Sequence, residues 1–322
     1  MGLSQVTYGI IKNPKKSNFE RFKNIGLVKT ASLSDEITDS AASASAFVSG
    51  IKTNNGAICL DKNNKSQKTI FEIAKEQGMS TGLVVTSAIT HATPAAFYAH
   101  QNSRKNYEEI ANDFVKSDVD VAIGGGLKFF NQRKDGVNLV EKLQEKGYKI
   151  YLKSDELLKD EYSGKVLALL AADHMPKMSG GRKDYAAKSL AKALEILNKN
   201  DHGFFLMVEG SQIDWGGHAN DAKYVEEEMI DFDQVIGVAL DFAAKNKDCL
   251  VVVTADHETG GFALVGKNTN KDENYGKIYP KFLSDGHSAS MVPIFAYGRG
   301  SKKFRGIYEN TEIFAKFKKL ID

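Results

Sequence analysis

Cysteine, proline and tryptophan are scarce in this chain of 322 residues, which holds two, five and one of them. Cys59 and Cys249 stand far apart, without CxxC spacing and beside apolar neighbours, so they read as buried thiols and not as a disulfide framework or a thiolate metal site. Proline-rich, low-complexity and repeated segments are absent, and no composition shift marks a linker. Residues 1–322 therefore read as one domain, and 42% apolar content is enough for one large core. Neither charge is in excess, with 43 Lys and Arg against 41 Asp and Glu, which excludes the basic surface of a nucleic-acid binder. No apolar run is long enough to span a membrane, and residues 1–5 lack the basic start and apolar stretch of an export signal. Nucleic acid and membrane are thus not expected partners, and function must be sought at a site.

What the sequence does have is alternation. β-Branched apolar runs at 82–87, 119–123, 166–170, 204–209, 250–254 and 293–297 read as strands. Between them lie segments of helical period at 69–76, 138–146, 185–198 and 221–245. In the last, Val225, Met229, Phe232, Ile236 and Leu240 make one stripe. The pattern predicts an α/β fold, a three-layer sandwich with a central, mostly parallel sheet flanked by helices. Polar stretches at 61–68, 175–183 and 266–276 read as surface loops.

Open parallel sheets bind ligands beyond the carboxyl ends of their strands. Here several strand ends carry metal-ligand chemistry: 204–208 runs into Glu209, then Asp214 and His218, while 250–254 runs into Asp256 and His257. Asp285, Gly286 and His287 precede the last apolar run. Three imidazoles and at least three carboxylates suit two or three divalent ions, with nitrogen-rich places for Zn²⁺ and an all-oxygen place for Mg²⁺. Any one of these histidines alone would read as a satisfied core or loop residue.

Small residues follow Ser40 through Ala46, a helix able to pack closely, with Ser40 at the amino-terminal end where the dipole and free N–H groups attract anions. Asp39 or Ser40 could equally be a plain helix cap. A bare hydroxyl needs a base or a metal to act as a nucleophile, and no Gly-x-Ser-x-Gly elbow or triad is present, which leaves metal activation. Arg104 offers a planar fork for phosphate oxygens; in isolation it would be a surface arginine.

Taken in order, these segments resemble the bacterial type of the alkaline phosphatase family over nearly the whole chain. The resemblance rests on Thr38-Asp39-Ser40-Ala41 and on Thr90-His91-Ala92-Thr93-Pro94-Ala95-Ala96. It continues through Val208-Glu209-Gly210 by way of Asp214 to His218, and through Thr254-Ala255-Asp256-His257-Glu258-Thr259-Gly260-Gly261. Gly286-His287 before Phe295-Ala296-Tyr297-Gly298 completes it. What it implies is hydrolysis of phosphate monoesters through a phosphoserine on Ser40, with Arg104 clamping phosphate, two Zn²⁺ and one Mg²⁺. One zinc would take Asp214, His218 and His287; the second would take Asp256, His257 and Ser40; magnesium would use Thr93 and Glu209. His91 stands where members vary between aspartate and histidine, leaving the ion beside it open. Trp215 replaces a lysine or histidine that approaches phosphate through water in some members. A homodimer and a periplasmic or secreted location also follow from the resemblance alone. A phosphodiesterase or sulfatase-like relative, and a metal- or phosphate-binding remnant, are the alternatives.

One departure stands at the front. Members open with an apolar strand running into Gly-Asp-Gly-Met-Gly, and Met1-Gly2-Leu3-Ser4-Gln5 reads as the end of that phrase. The first central strand and its bridging aspartate are therefore expected to be missing from this sequence, with an open groove in the core and weakened metal sites as the consequence.

Overall fold

The computed structural model describes residues 1–269 and 272–321. Thirteen strands are present among them: β1 Asn24–Lys29, β2 Ser80–Ala88, β3 Val121–Gly125, β4 Lys149–Tyr151, β5 Val166–Leu169, β6 Phe204–Glu209, β7 Leu250–Val253, β8 Glu258–Thr259, β9 Ala263–Thr269, β10 Asp272–Lys281, β11 His287–Ser288, β12 Val292–Gly298 and β13 Gly306–Glu309. A five-stranded sheet, in the order β4-β5-β3-β2-β6, is parallel throughout. A four-stranded sheet has the order β13-β1-β12-β7, with β12 antiparallel to both neighbours.

Helices cover both faces, as the alternation predicted. On one side the Tyr185–Leu197 and Ala222–Lys245 helices pack on the five-stranded sheet through Leu190, Ala193, Leu197 and Val235. On the other side lie the Ser40–Ser49, Ile70–Glu76 and Thr311–Ile321 helices. Local signals start these helices where expected. The Thr69 hydroxyl accepts from the Glu72 amide while the Glu72 carboxylate accepts from the Thr69 amide, a reciprocal cap. Asp221 accepts from the amides of Lys223 and Tyr224 at the head of the longest helix.

β2, β3 and β5 are buried, yet β6 and β7, at the middle of the molecule, are half-buried along most of their length. Both strands line one elongated cavity of about 1020 Å³ that divides the two sheets and reaches Ser40, Asp214 and Asp256.

Two readings need correction. The stretch 266–276 lies in the antiparallel pairing of β9 with β10 and is not a loop, although positions 270 and 271 fall outside the described residues. Its run of Lys, Asn, Thr, Asp and Glu carries no apolar alternation, so periodicity could not show it. The stretch 175–183 is a surface loop as read, with a short 3₁₀ turn, Met178–Gly180, and it is pinned by Arg182, which is buried against Glu228 and Asp231. Both cysteines are free, but only Cys59 is fully buried, its thiol pushed up to about 12 by burial; Cys249 is half-buried near the surface end of β7.

Candidate active site

The chemistry collects where β2, β6 and β7 end. Asp39 caps the Ser40–Ser49 helix by accepting from the Ala42 amide at 3.0 Å, which sets Ser40 in the first turn, almost fully buried. The Ser43 hydroxyl donates to the Asp256 carbonyl at 2.7 Å and so ties this helix to the segment following β7. Asp214, Trp215 and His218 ride on the Gln212–His218 helix after β6. Gly217 lets that helix close on β8, since a Cβ there would stand 2.8 Å from the Thr259 carbonyl. The short β8–β11 pairing sets His287 beside Thr259.

The tautomers of three imidazoles follow from their partners. His287 Nδ1 lies 2.8 Å from the Thr38 carbonyl and His218 Nδ1 lies 2.5 Å from the Asp285 carbonyl. Carbonyls only accept, so both Nδ1 atoms carry the proton. Thr259 gives its hydroxyl proton to Asp214 and therefore accepts from His257 Nδ1 at 3.1 Å. All three Nε2 lone pairs are left facing the site, the arrangement that backbone and hydroxyl partners impose on metal-ligating histidines.

These lone pairs converge on oxygens. His218 Nε2 and His287 Nε2 are 3.2 Å apart, and they stand 3.4 and 3.7 Å from Asp214 Oδ1. His257 Nε2 is 3.1 Å from Ser40 Oγ and 3.2 Å from Asp256 Oδ2. Donors bound at about 2.0–2.2 Å to one tetrahedral cation stand about 3.3–3.6 Å from each other. The first triplet, at 3.2–3.7 Å, brackets that spacing, and the two distances from His257, at 3.1 and 3.2 Å, are slightly tighter. Two like lone pairs at 3.2 Å repel unless a cation or a proton lies between them. Without a metal a proton takes the place: the hydrogen bond to Asp214 raises His218 to about 9, while Asp214, despite its burial, is held well below the usual carboxylate range by His218 and His257.

A third group lies alongside. Glu209, at the end of β6, is pushed up to about 7 by burial, with the charges of Asp256 and Asp214 adding to the shift. Its hydrogen-bond partners are the hydroxyls of Ser211, Ser87 and Thr93. A buried carboxylate whose neighbours are hydroxyls and other carboxylates fits a hard cation. Burial, with Arg104 and His174 adding, brings His91 down to about 3, so its ring is neutral, and its buried Nδ1 has no partner. Arg104 Nη2 donates to His91 Nε2 at 3.4 Å, and Nη1 donates to Asp39 Oδ2 at 3.0 Å.

Every residue singled out from the sequence is thus in this one cluster: Ser40, His91, Thr93, Arg104, Glu209, Asp214, Trp215, His218, Asp256, His257 and His287. Sequence reasoning passed over His174, whose ring lies 4.8 Å from that of Trp215 and 5.7 Å from that of His91. The signal was available, because Asp173-His174 follows β5 as Asp256-His257 follows β7. It read Asp39 as a helix cap but not as the partner of Arg104, and quoted Thr259 without its coupling of Asp214 to His257.

A fold whose strand ends gather lone-pair imidazoles and carboxylates around a single serine hydroxyl defines the class of metal-dependent hydrolases. The alkaline phosphatase family model matches residues 3–281. Alkaline phosphatase 3 of Bacillus subtilis is 48% identical, over 86% of this chain and 75% of its own length; alkaline phosphatase 4 of the same organism is 37% identical, over 93% and 80%. The solved structure of alkaline phosphatase from the Antarctic bacterium TAB5 superposes with a TM-score of 0.95 at 46% identity, over 99% of this chain and 95% of that one. A substituted form of the TAB5 enzyme, solved with Mg bound in its M3 site, gives a TM-score of 0.94. This chain belongs to the alkaline phosphatase family.

Proposed function

We propose that this chain hydrolyses phosphate monoesters by passing the phosphoryl group through Ser40. Phosphomonoester hydrolysis is the family's reaction, and the observation that carries the reading for this chain is the set of three imidazoles whose Nδ1 atoms are committed elsewhere and whose Nε2 atoms face Asp214, Asp256 and Ser40. Asp214, His218 and His287 would hold one Zn²⁺; Asp256, His257 and Ser40 a second; Glu209 and Thr93, beside His91, a Mg²⁺. Bound there, such cations supply Lewis acidity and lower the pKa of hydroxyl and water ligands.

The chain's own groups do the rest. Ser40 Oγ attacks phosphorus in line with the leaving group as its proton passes to solvent, the bond to the leaving oxygen breaks on the opposite side, that oxygen takes up a proton from solvent and departs as the alcohol, and a phosphoserine remains. Water then attacks from the vacated side, releasing orthophosphate and restoring the hydroxyl. Arg104, braced by Asp39, and the first-turn amides not taken by the Asp39 cap stabilise the equatorial oxygens as charge gathers on them. These contacts grip the phosphoryl group alone, so many alcohols serve as leaving groups.

Trapping the intermediate tests this reading. The chain, supplied with Zn²⁺ and Mg²⁺, is mixed with an aryl phosphate, quenched in acid and mapped by mass spectrometry. The expected result is one phosphoryl group on Ser40, absent from Ser40→Ala along with turnover. Turnover without any phosphoserine, or phosphate carried on another residue, would overturn it.

A further inference from the structure

We propose that His174 is a positioning residue for the phosphate clamp: its ring, set against Trp215 and His91, holds His91 where that imidazole supports Arg104. The seat of His174 is built from several sides. The amides of Gly126, Leu127 and Lys128 donate to the carbonyls of Ala171 and Ala172 at 3.0–3.1 Å, which fastens the main chain just ahead of His174 to the end of β3. Gly125 admits that chain, since a Cβ there would collide with the Asp173 carbonyl oxygen. From another side Gln212 Nε2 donates to the Met175 carbonyl at 2.7 Å and to the Thr86 carbonyl at 2.9 Å. Gln212 lies on the helix that carries Trp215, so this segment, β2 and that helix are joined at one point.

The His174 ring has its own tie to the fold. The Ala88 amide donates to His174 Nδ1 at 3.0 Å, so the ring proton sits on Nε2, which lies 3.5 Å from Asp173 Oδ1. Ala88 is the pivot, because its carbonyl also accepts from the His91 amide at 2.9 Å. Three rings then meet edge to face. His174 stands 4.8 Å from Trp215 and 5.7 Å from His91, at 71° and 86°, and His91 stands 6.0 Å from Trp215 at 78°. Contacts of this kind are each worth roughly two- to tenfold in an equilibrium constant beyond the area they bury. Among the described residues the buried Nδ1 of His91 has no partner, so packing against His174 and Trp215 governs how its ring is turned. That turn matters to the clamp. His91 Nε2 accepts from Arg104 Nη2 at 3.4 Å, while Arg104 Nη1 is held by Asp39. Without the His174 ring His91 is free to rotate, and the guanidinium is held at one end only.

The proposal rests on the reading of Arg104 as the clamp, so its test reads phosphate binding with Arg104 present and absent. Chain loaded with zinc and magnesium is titrated with inorganic phosphate in a calorimeter, which needs no turnover. His174→Asn removes the ring yet keeps an acceptor for the Ala88 amide, because its Oδ1 stands as many bonds from Cα as Nδ1 does. It is expected to weaken phosphate binding about fivefold. Trp215 is the only tryptophan in the chain, so the same variant should shift the emission to longer wavelength and raise its quenching by acrylamide. His174→Phe keeps a ring and loses the acceptor; it should melt lower, yet bind phosphate within about twofold of the unsubstituted chain. In an Arg104→Ala background, His174→Asn should have no further effect on phosphate. Unchanged phosphate affinity or unchanged emission in His174→Asn, an equal loss of affinity in His174→Phe, or the same fivefold loss without Arg104 would overturn the proposal. Arg104→Ala that leaves phosphate affinity intact would overturn the clamp itself, and the proposal with it.

Discussion

His218, His257 and His287 each give one ring nitrogen to the fold and keep the other for chemistry, and backbone carbonyls or a threonine make that choice. Trp215 lies beside this set. Its indole stands edge-on to the rings of His174 and His91, at 4.8 and 6.0 Å, and brings no charge. An ammonium at the same position would add a charge-assisted, water-mediated contact to product phosphate, a contact worth about 1.5 kcal/mol or roughly tenfold in affinity. Trp215→Lys is therefore expected to lower the inhibition constant of inorganic phosphate about tenfold and to slow product release. Inhibition assays decide this, and an unchanged constant would show that Trp215 does not set phosphate affinity.

Among the elements, the segment holding Arg182 and the long Ala222–Lys245 helix share the most demanding contact outside the site. Arg182 Nη2 donates to Asp231 at 2.8 Å and to Glu228, Nη1 donates to the Pro176 carbonyl at 3.0 Å, and the Met178 amide donates to Glu228 at 2.9 Å. Burial raises both carboxyls above their ordinary values even with the guanidinium present. Arg182→Met would strand two buried carboxylates, a loss of about 3–5 kcal/mol. A carboxyl whose folded pKa lies above its unfolded value holds its proton more tightly when folded, so its presence costs stability as pH rises through the folded pKa. The variant should thus recover stability as pH falls, and adding Glu228→Gln and Asp231→Asn should remove much of the deficit. Urea denaturation from pH 5 to 8 measures both effects; a deficit independent of pH would contradict the assignment.

Legibility of the elements followed from how local their causes are. The Ile70–Glu76 and Ala222–Lys245 helices carry their own caps and stripes, and β6 was readable end to end from its apolar run. β1 was not readable, because Asn24, Gly26 and Lys29 interrupt it and its partners β12 and β13 come from the far end of the chain. Site residues were legible because their types are costly to bury without purpose. Their supports, Thr259 to Asp214 and Asp285 to His218, depend on contacts between distant segments, which spacing does not encode.

For the molecule as a whole, the site spans the divide between the sheets. Asp214 and His218 follow β6 of the five-stranded sheet, whereas Asp256 and His257 follow β7 of the four-stranded one and His287 begins β11, just before β12. A cation held by Asp214, His218 and His287 would therefore join the two halves. Ligand free at a thousandfold its dissociation constant stabilises the folded state by about 4 kcal/mol. Chelation is accordingly expected to lower the melting temperature by several degrees, zinc should restore it, and His287→Ala should abolish the response. Calorimetry with and without chelator reads this directly; identical melting curves would mean that no cation joins the sheets.

The most direct test of the central claim is anomalous diffraction at the zinc edge from crystals of this chain grown with zinc. Two peaks are expected, one touching Asp214 Oδ1, His218 Nε2 and His287 Nε2, the other touching Asp256, His257 Nε2 and Ser40 Oγ. Zinc bound elsewhere, with these donors unliganded at full occupancy of other sites, would contradict the account.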